Sequence, residues 1–95
     1  MENYEIMFIV KPTLEEDAIK STVKSLEEII TGMKGKVETK DMGKRELAYP
    51  IKKEISGFYY VFTVEASHDA IEEFDRKARI NENVLRHQII KLDEE

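Results

Sequence analysis

The sequence contains no cysteine, and this absence removes several classes of protein at once. Without cysteine there are no disulfide bonds, iron–sulfur clusters, thiolate zinc sites or cysteine nucleophiles. No apolar run approaches the roughly 20 residues that a membrane-spanning helix needs. The chain has 95 residues, which suffice for one hydrophobic core, and we expect residues 1–95 to form a single domain.

Patterns typical of enzymes and of metal or cofactor binding are scarce. The two histidines, His68 and His87, do not form a pair with metal-ligand spacing. No glycine-rich loop opens a helix for a phosphate group. Neighbouring carboxylates such as Glu27 and Glu28 point apart on a helix, so they make a poor acid–base pair. We therefore expect no enzyme activity, no metal, no cofactor and no small-molecule substrate.

The amino terminus is acidic rather than basic, since residues 1–5 contain two glutamates and no lysine or arginine. Signal peptides begin with positive charge, and transit peptides are rich in arginine and poor in acids. We therefore expect the protein to be cytoplasmic and to have no membrane contact.

Charge is sorted into blocks along the chain, although the formal net charge is −5. Residues 34–53 and 76–91 are basic, whereas residues 1–33, 54–75 and 92–95 are acidic. Exposed charges act over about 8–10 Å, so the local potential decides what a surface binds. Each block by itself is typical of a solvated surface. Two basic blocks that meet on one side of the fold would instead indicate a nucleic-acid interface.

Hydrophobic periodicity predicts six elements in the order β-α-β-β-α-β. The apolar runs 4–10 and 58–64 are typical of buried central strands. A first helix is predicted after Thr13, which has capping-box spacing with Glu16, and a second over residues 67–80. The apolar stripes are Ile19, Val23, Leu26, Ile30 and Met33 in the first helix and Ile71, Phe74 and Ala78 in the second.

Residues 36–53 are predicted to form a long strand at the edge of a sheet. Pro50 cannot donate a ladder hydrogen bond, which favours an edge position. Residues 41–43 disturb the alternation and include a glycine, so we expect a bulge there. Residues 54–57 are predicted to form the following turn, and residues 84–92 the last strand.

The order of elements has one common solution under the rules for crossovers and neighbouring strands. It is an α+β fold, the ferredoxin-like split β-α-β sandwich, with a four-stranded antiparallel sheet and two helices on one face. The first and third strands should lie in the centre. Ser67 or Asp69 should cap the second helix.

Basic side chains give the strongest functional signal. Arg76 and Lys77 complement the dipole at a helix end, which accounts for them structurally. Less easily explained are two groups that we take as RNA-binding candidates: Lys44, Arg45, Lys52 and Lys53 around the edge strand, and Arg79, Arg86 and His87 around the turn at residues 80–83. Arginine suits phosphate because its planar fork makes bidentate contacts.

Two other functions remain open at this point. The run from Gly57 to Phe62 is faintly like the strand on which RNA-recognition-motif domains stack bases. A single-stranded RNA binder would then use Phe58, Tyr60 or Phe62, although Ser56 and Tyr59 depart from the expected pattern. The third reading is a ligand-sensing or dimerising ferredoxin-like module without nucleic acid.

The chain resembles protein six of the bacterial small ribosomal subunit along nearly its whole length. The resemblance depends most on the run from Gly43 to Lys53, Gly-Lys-Arg-Glu-Leu-Ala-Tyr-Pro-Ile-Lys-Lys, followed by Gly57-Phe58-Tyr59. Tyr4-Glu5, Lys11-Pro12 and the run from Asn83 to His87 complete it.

This resemblance implies a structural ribosomal protein with the fold predicted above. It implies binding to the central domain of 16S ribosomal RNA as a heterodimer with small-subunit protein eighteen, which is strongly basic in the family. By resemblance, Arg79 and Arg86 occupy RNA-contacting positions. We expect the partner to contact the long strand and the nearby sheet surface, including Tyr49 and Tyr60.

Overall fold

The structure, a computed structural model, describes residues 2–92. Its elements are β1 (Glu2–Val10), α1 (Glu16–Thr31), β2 (Lys36–Ile51), β3 (Glu54–Ala66), α2 (His68–Ile80) and β4 (Val84–Leu92). The four strands form one antiparallel sheet in the order β2-β3-β1-β4. The predicted ferredoxin-like α+β fold is therefore confirmed, with β1 and β3 central and β2 at an edge.

Both helices cover the same face of the sheet, and the core lies between them and the strands. Ile6 pairs with Phe62 on one side and with Ile89 on the other, which sets the side chains that share this face. Phe62 packs edge-on against Phe8, with ring centroids 4.9 Å apart, and against Phe74 of α2 at 6.0 Å. The intervening residues of each strand point to the opposite face, which neither described helix covers. We call it the open face.

The helices follow the predicted stripes with two differences. Met33 is 40% exposed because α1 ends at Thr31 and Met33 lies in the turn beyond it. The expected capping box at Thr13 is wrong: Glu15 is the N-cap residue, without a side-chain cap bond, and α1 begins at Glu16. Acidic side chains in the first turn instead complement the helix dipole.

The second helix begins as predicted. Ser67 caps α2, because its Oγ accepts a hydrogen bond from the Ala70 amide at 3.2 Å. The apolar stripe of α2 is buried in the core, as are the four residues of the α1 stripe from Ile19 to Ile30. Because both stripes are buried against one face of the sheet, the position of α2 on that face is fixed. The C-terminal end of α2 lies beside the start of β4.

In the β2–β3 hairpin, the predicted bulge is confirmed and the predicted turn position is wrong. The pairing shifts between Asp41 and Gly43, and Gly43 has a φ of +84°, so the expected bulge is present. The turn is not at residues 54–57, which belong to β3. It consists of Lys52 and Lys53, with φ of +50° and +69°. A two-residue hairpin turn needs positive φ at both positions, which usually selects asparagine and glycine, so two lysines gave no turn signal.

Candidate nucleic-acid interface

The tip of the β2–β3 hairpin reaches the start of β4, the opposite edge of the sheet. Regular pairing is interrupted between Glu46 and Ile51. The Lys52 ammonium donates to the Val84 carbonyl at 3.3 Å. The Arg86 Nη1 donates to the Tyr49 hydroxyl at 2.9 Å. These contacts bring one part of each basic segment, around Lys52 in 34–53 and around Arg86 in 76–91, to one end of the sheet.

A carboxylate organises the neighbouring end of α2. Asp75 accepts a hydrogen bond from the Arg79 guanidinium through Oδ2. Its other oxygen, Oδ1, lies 2.7 Å from Nε2 of His87. Only 15% of the His87 side chain is exposed, because His87 faces the helices while its neighbour Arg86 is exposed. Arg79 and Arg86 therefore lie near the same end of the molecule but on different sides of β4.

The remaining basic candidates lie along the hairpin and are exposed. Arg45 is paired with Gly57 in the sheet, and its Nε donates to the Met42 carbonyl at 3.3 Å. Within residues 2–92, five of the candidate cations form no ion pair with a carboxylate, namely Lys44, Arg45, Lys52, Lys53 and Arg86. No paired carboxylate offsets the positive charge of these side chains, so they present a net positive charge to a phosphate. This separates them from Arg76, Lys77 and Arg79, which are paired on α2.

The tyrosines expected to form one partner surface lie apart. Tyr49 is 58% exposed near the hairpin tip, whereas Tyr60 is 8% exposed and stacks on Phe8 with ring centroids 5.5 Å apart. Burial, and then the nearby Asp41 carboxylate, raise the pKa of Tyr60. Little of the Tyr60 side chain is therefore available for the predicted partner contact. Its position opposite Phe8 in the register turns it toward the helices.

The same register also bears on the alternative function, in which RNA bases stack on aromatic side chains of β3. Phe58, Tyr60 and Phe62 share the helix-facing side of β3, where Phe62 is fully buried and Phe58 packs against the core. They are not available for base stacking on the open face. Tyr59 is the aromatic residue of β3 on that face, next to Ile9 in the pairing. Sequence reasoning missed it, because a strand apolar on both sides does not show which face the helices cover.

Asp75 was also missed. Its spacing of four from Arg79 is a visible helix-pair signal. The contact with His87 depends on how α2 packs against β4, which no local pattern shows.

Three other cavities are not lined by any of the candidate cations. One of about 400 Å³ lies between α1 and β2 on the helix side and includes Tyr60 but none of the candidate cations. Across residues 2–92, His, Asp and Glu side chains form no group of three suited to a metal ion. Neither of the two described helices has the length and apolar character to cross a membrane.

Comparison with known proteins gives a family. Residues 3–91 match the family Ribosomal protein S6. The small ribosomal subunit protein bS6 of Helicobacter acinonychis (strain Sheeba) is 51% identical over 94 residues, which are 98% of this chain and 66% of that protein. The protein of the same name from Helicobacter pylori (strain Shi470) is 50% identical with the same coverage. This chain thus spans 66% of the length of these relatives.

Solved structures agree with the sequence comparison. The 30S ribosomal protein S6 from Thermotoga maritima superposes with a TM-score of 0.90 at 30% identity, covering 96% of this chain and 87% of that one. A de novo designed protein, Foldit4, has a TM-score of 0.54 at 13% identity and so shares the fold alone. From the matched span, the identities and the superposition together, this chain belongs to the ribosomal protein S6 family of the small ribosomal subunit.

Proposed function

We propose that this chain is a structural, non-catalytic component of the small ribosomal subunit in the cytoplasm. In this proposal it binds the central domain of 16S ribosomal RNA together with small-subunit protein eighteen. Family membership supports the ribosomal role. The RNA and partner assignments come from the family resemblance, and the charges and contacts described above support them.

The observation that carries the RNA assignment is the meeting of the two basic segments at one end of the sheet. The hydrogen bonds from Lys52 to Val84 and from Arg86 to Tyr49 join them. The cations gathered there lack carboxylate partners within residues 2–92, and they include an arginine that is already oriented. Such a group neutralises phosphates and releases counterions when RNA binds.

The net charge of the chain supports the partner that the family resemblance implies. The whole chain is acidic, with a formal net charge of −5, so it repels a polyanion at long range. A basic partner would offset that repulsion. The edge strand β2 offers it unpaired backbone groups, and its exposed acids Glu38, Asp41 and Glu46 alternate with exposed bases, so the strand can pair with a partner of mixed charge. Tyr49 adds an exposed aromatic anchor beside them.

The test is to titrate a 16S central-domain RNA fragment with this chain, with and without protein eighteen, at several salt concentrations. We expect weak binding by the chain alone and strong, salt-sensitive binding by the pair. Equal affinity with and without the partner would remove the joint-binding proposal.

A single substitution locates the RNA surface. Arg86→Ala should weaken binding by the pair by about 1–3 kcal/mol, or reduce the salt slope by about 1 if Arg86 contacts only phosphate. The fold should persist, because the Arg86 side chain is exposed. Lys24→Ala, an exposed lysine of α1 remote from the hairpin tip, is the control and should bind normally. An unchanged titration for Arg86→Ala would exclude Arg86 from the interface.

A further inference from the structure

The open face carries a shallow depression beside the hairpin tip. Its volume is about 150 Å³, and its lining residues are Met7, Ile9, Tyr59, Arg86, His87 and Gln88. Sites for drug-sized molecules occupy about 300–1,000 Å³, so this one suits a single flat ring. It lies on the sheet face that neither described helix covers. Of the residues that the sequence predicts to bind RNA, Arg86 and His87 line this depression.

Strand pairing places complementary groups around the depression. Arg86 pairs with Ile9, and Ile9 pairs with Tyr59 on its other side, so the three lie in one row across β4, β1 and β3. Gln88 and Met7 form the next row. An aromatic ring and a guanidinium plane are the groups on which unpaired RNA bases stack. The amide of Gln88 both donates and accepts, as a base edge requires.

The acids of the open face are unevenly placed along the strands, whereas its bases lie at both ends, with Lys36 opposite Glu65 and Lys40 opposite Val61. Arg45, opposite Gly57, lies two pairs beyond Tyr59 toward the hairpin tip, where Lys52 also lies. The acids of this face lie on the other side of the depression. Glu5 and Glu38 flank Thr63 in one row, and Glu65 lies in the row after that. A polyanionic strand would therefore be attracted to the hairpin end of the depression.

We propose that this depression binds one unpaired nucleotide of an RNA strand. The base lies against Tyr59 and Arg86, and the flanking phosphates lie toward Arg45 and Lys52. The inference depends on the proposed RNA-binding function and adds to it a single-stranded subsite on the sheet face. The Tyr49 hydroxyl orients Arg86 for this contact through the bond of 2.9 Å.

The experiment is an NMR titration of the isotope-labelled chain with single-stranded RNA octamers of uridine and of adenosine at low salt. We expect the largest shift changes at the amides of Met7, Tyr59 and Gln88. Tyr59→Leu should weaken octamer binding about fivefold or more, since it removes the stacking ring but keeps an apolar side chain. Thr63→Ala, an exposed change on the open face of the same strand, is the matched control and should bind as the unmodified chain does.

Each outcome decides the matter. If Tyr59→Leu does not fold, the exposed Gln88→Ala and the shift map of the unmodified chain replace it. Shifts confined to Arg79 and the end of α2 would overturn the nucleotide site and leave the proposed function standing. If protein eighteen shifts the same amides and prevents octamer binding, the depression is a protein-docking surface and the proposal fails. If no RNA shifts any signal, with or without the partner, the proposed function itself fails.

Discussion

Gly57 lies where the hairpin passes over the end of β1, and its missing side chain makes room for a buried neighbour. A Cβ built there would lie 2.3 Å from the Cγ2 of Ile9 and 3.2 Å from the Val10 carbonyl oxygen. We expect Gly57→Ala to lower the free energy of unfolding by about 1–3 kcal/mol through overpacking, measured by urea denaturation.

The neighbouring residue supplies the control for this change. Ser56→Ala should cost much less, because Ser56 is only half-buried. In the double variant with Ile9→Ala, the clashing methyl is gone, so the loss should be smaller than the sum of the two single losses. Full stability of Gly57→Ala would show that β1 and β3 adjust without strain.

At the level of single side chains, charge alone does not show which basic residues are candidates for RNA contact. Their hydrogen-bond and ion-pair partners do distinguish them. Arg76 and Arg79 form ion pairs on the surface of α2, and such exposed pairs stabilise a fold by about 0–1 kcal/mol. Arg86 instead donates to a neutral hydroxyl, so no paired carboxylate offsets its positive charge. No sequence pattern shows that contact, because 37 positions separate Arg86 from Tyr49.

Among the elements, the turn of the β2–β3 hairpin combines strain with the proposed contact to RNA. Lys52 and Lys53 both have positive φ, which costs a residue with a Cβ about 1–2 kcal/mol in the left-handed region. The double variant Lys52→Asn with Lys53→Gly should raise stability by about 1 kcal/mol, because asparagine followed by glycine favours this type of turn. Urea denaturation measures the gain.

The same double variant should bind RNA less well. Losing two phosphate contacts would flatten the dependence of log K on log salt by about 1.4–1.8, since each contact contributes about 0.7–0.9. The control is Lys20→Ala with Lys24→Ala, which removes equal charge from α1. A variant with greater stability and an unchanged salt slope would show that the turn lysines do not contact phosphate.

The elements themselves were largely predictable, and the differences have local causes. The apolar periodicity of α1 and α2 and the two central strands set the order, and the order sets the topology. The sequence misled at residues 54–57 because their serine and glycine are typical turn residues. The real turn, at two lysines, depends on the sheet holding their backbone at positive φ.

For the whole molecule, the sorting of charge along the chain was visible from the sequence, but its arrangement in space was not. The blocks 34–53 and 76–91 meet only because the hairpin tip crosses to β4, through the contacts of Lys52 and Tyr49. The faces of the central strands were equally hidden. Helix packing turns Tyr60 inward and leaves Tyr59 on the open face. An acidic domain thereby presents one basic end, which suits joint binding of RNA with a basic partner.

The buried tyrosines make the stability of the whole fold sensitive to alkaline pH. Burial raises the pKa of Tyr4 above the ordinary value of 10.0, with a further contribution from its hydrogen bond to Glu2. Burial and then Asp41 raise the pKa of Tyr60 in the same direction. The folded state therefore holds these phenol protons more tightly than the unfolded chain does. Their contribution to stability is fully present below pH 10 and is lost as the pH rises through the folded-state pKa.

The variant Tyr60→Phe separates the contribution of the Tyr60 phenol from that of Tyr4. Urea denaturation of the unmodified chain at a series of pH values should show the free energy of unfolding falling above pH 10. In Tyr60→Phe the fall should be shallower, because the unfolded chain no longer gains by releasing that proton. Tyr49→Phe, at an exposed tyrosine, is the control for the loss of one phenol. If both variants follow the unmodified curve, Tyr60 ionises as readily in the fold as in the unfolded chain, and the alkaline loss has another source.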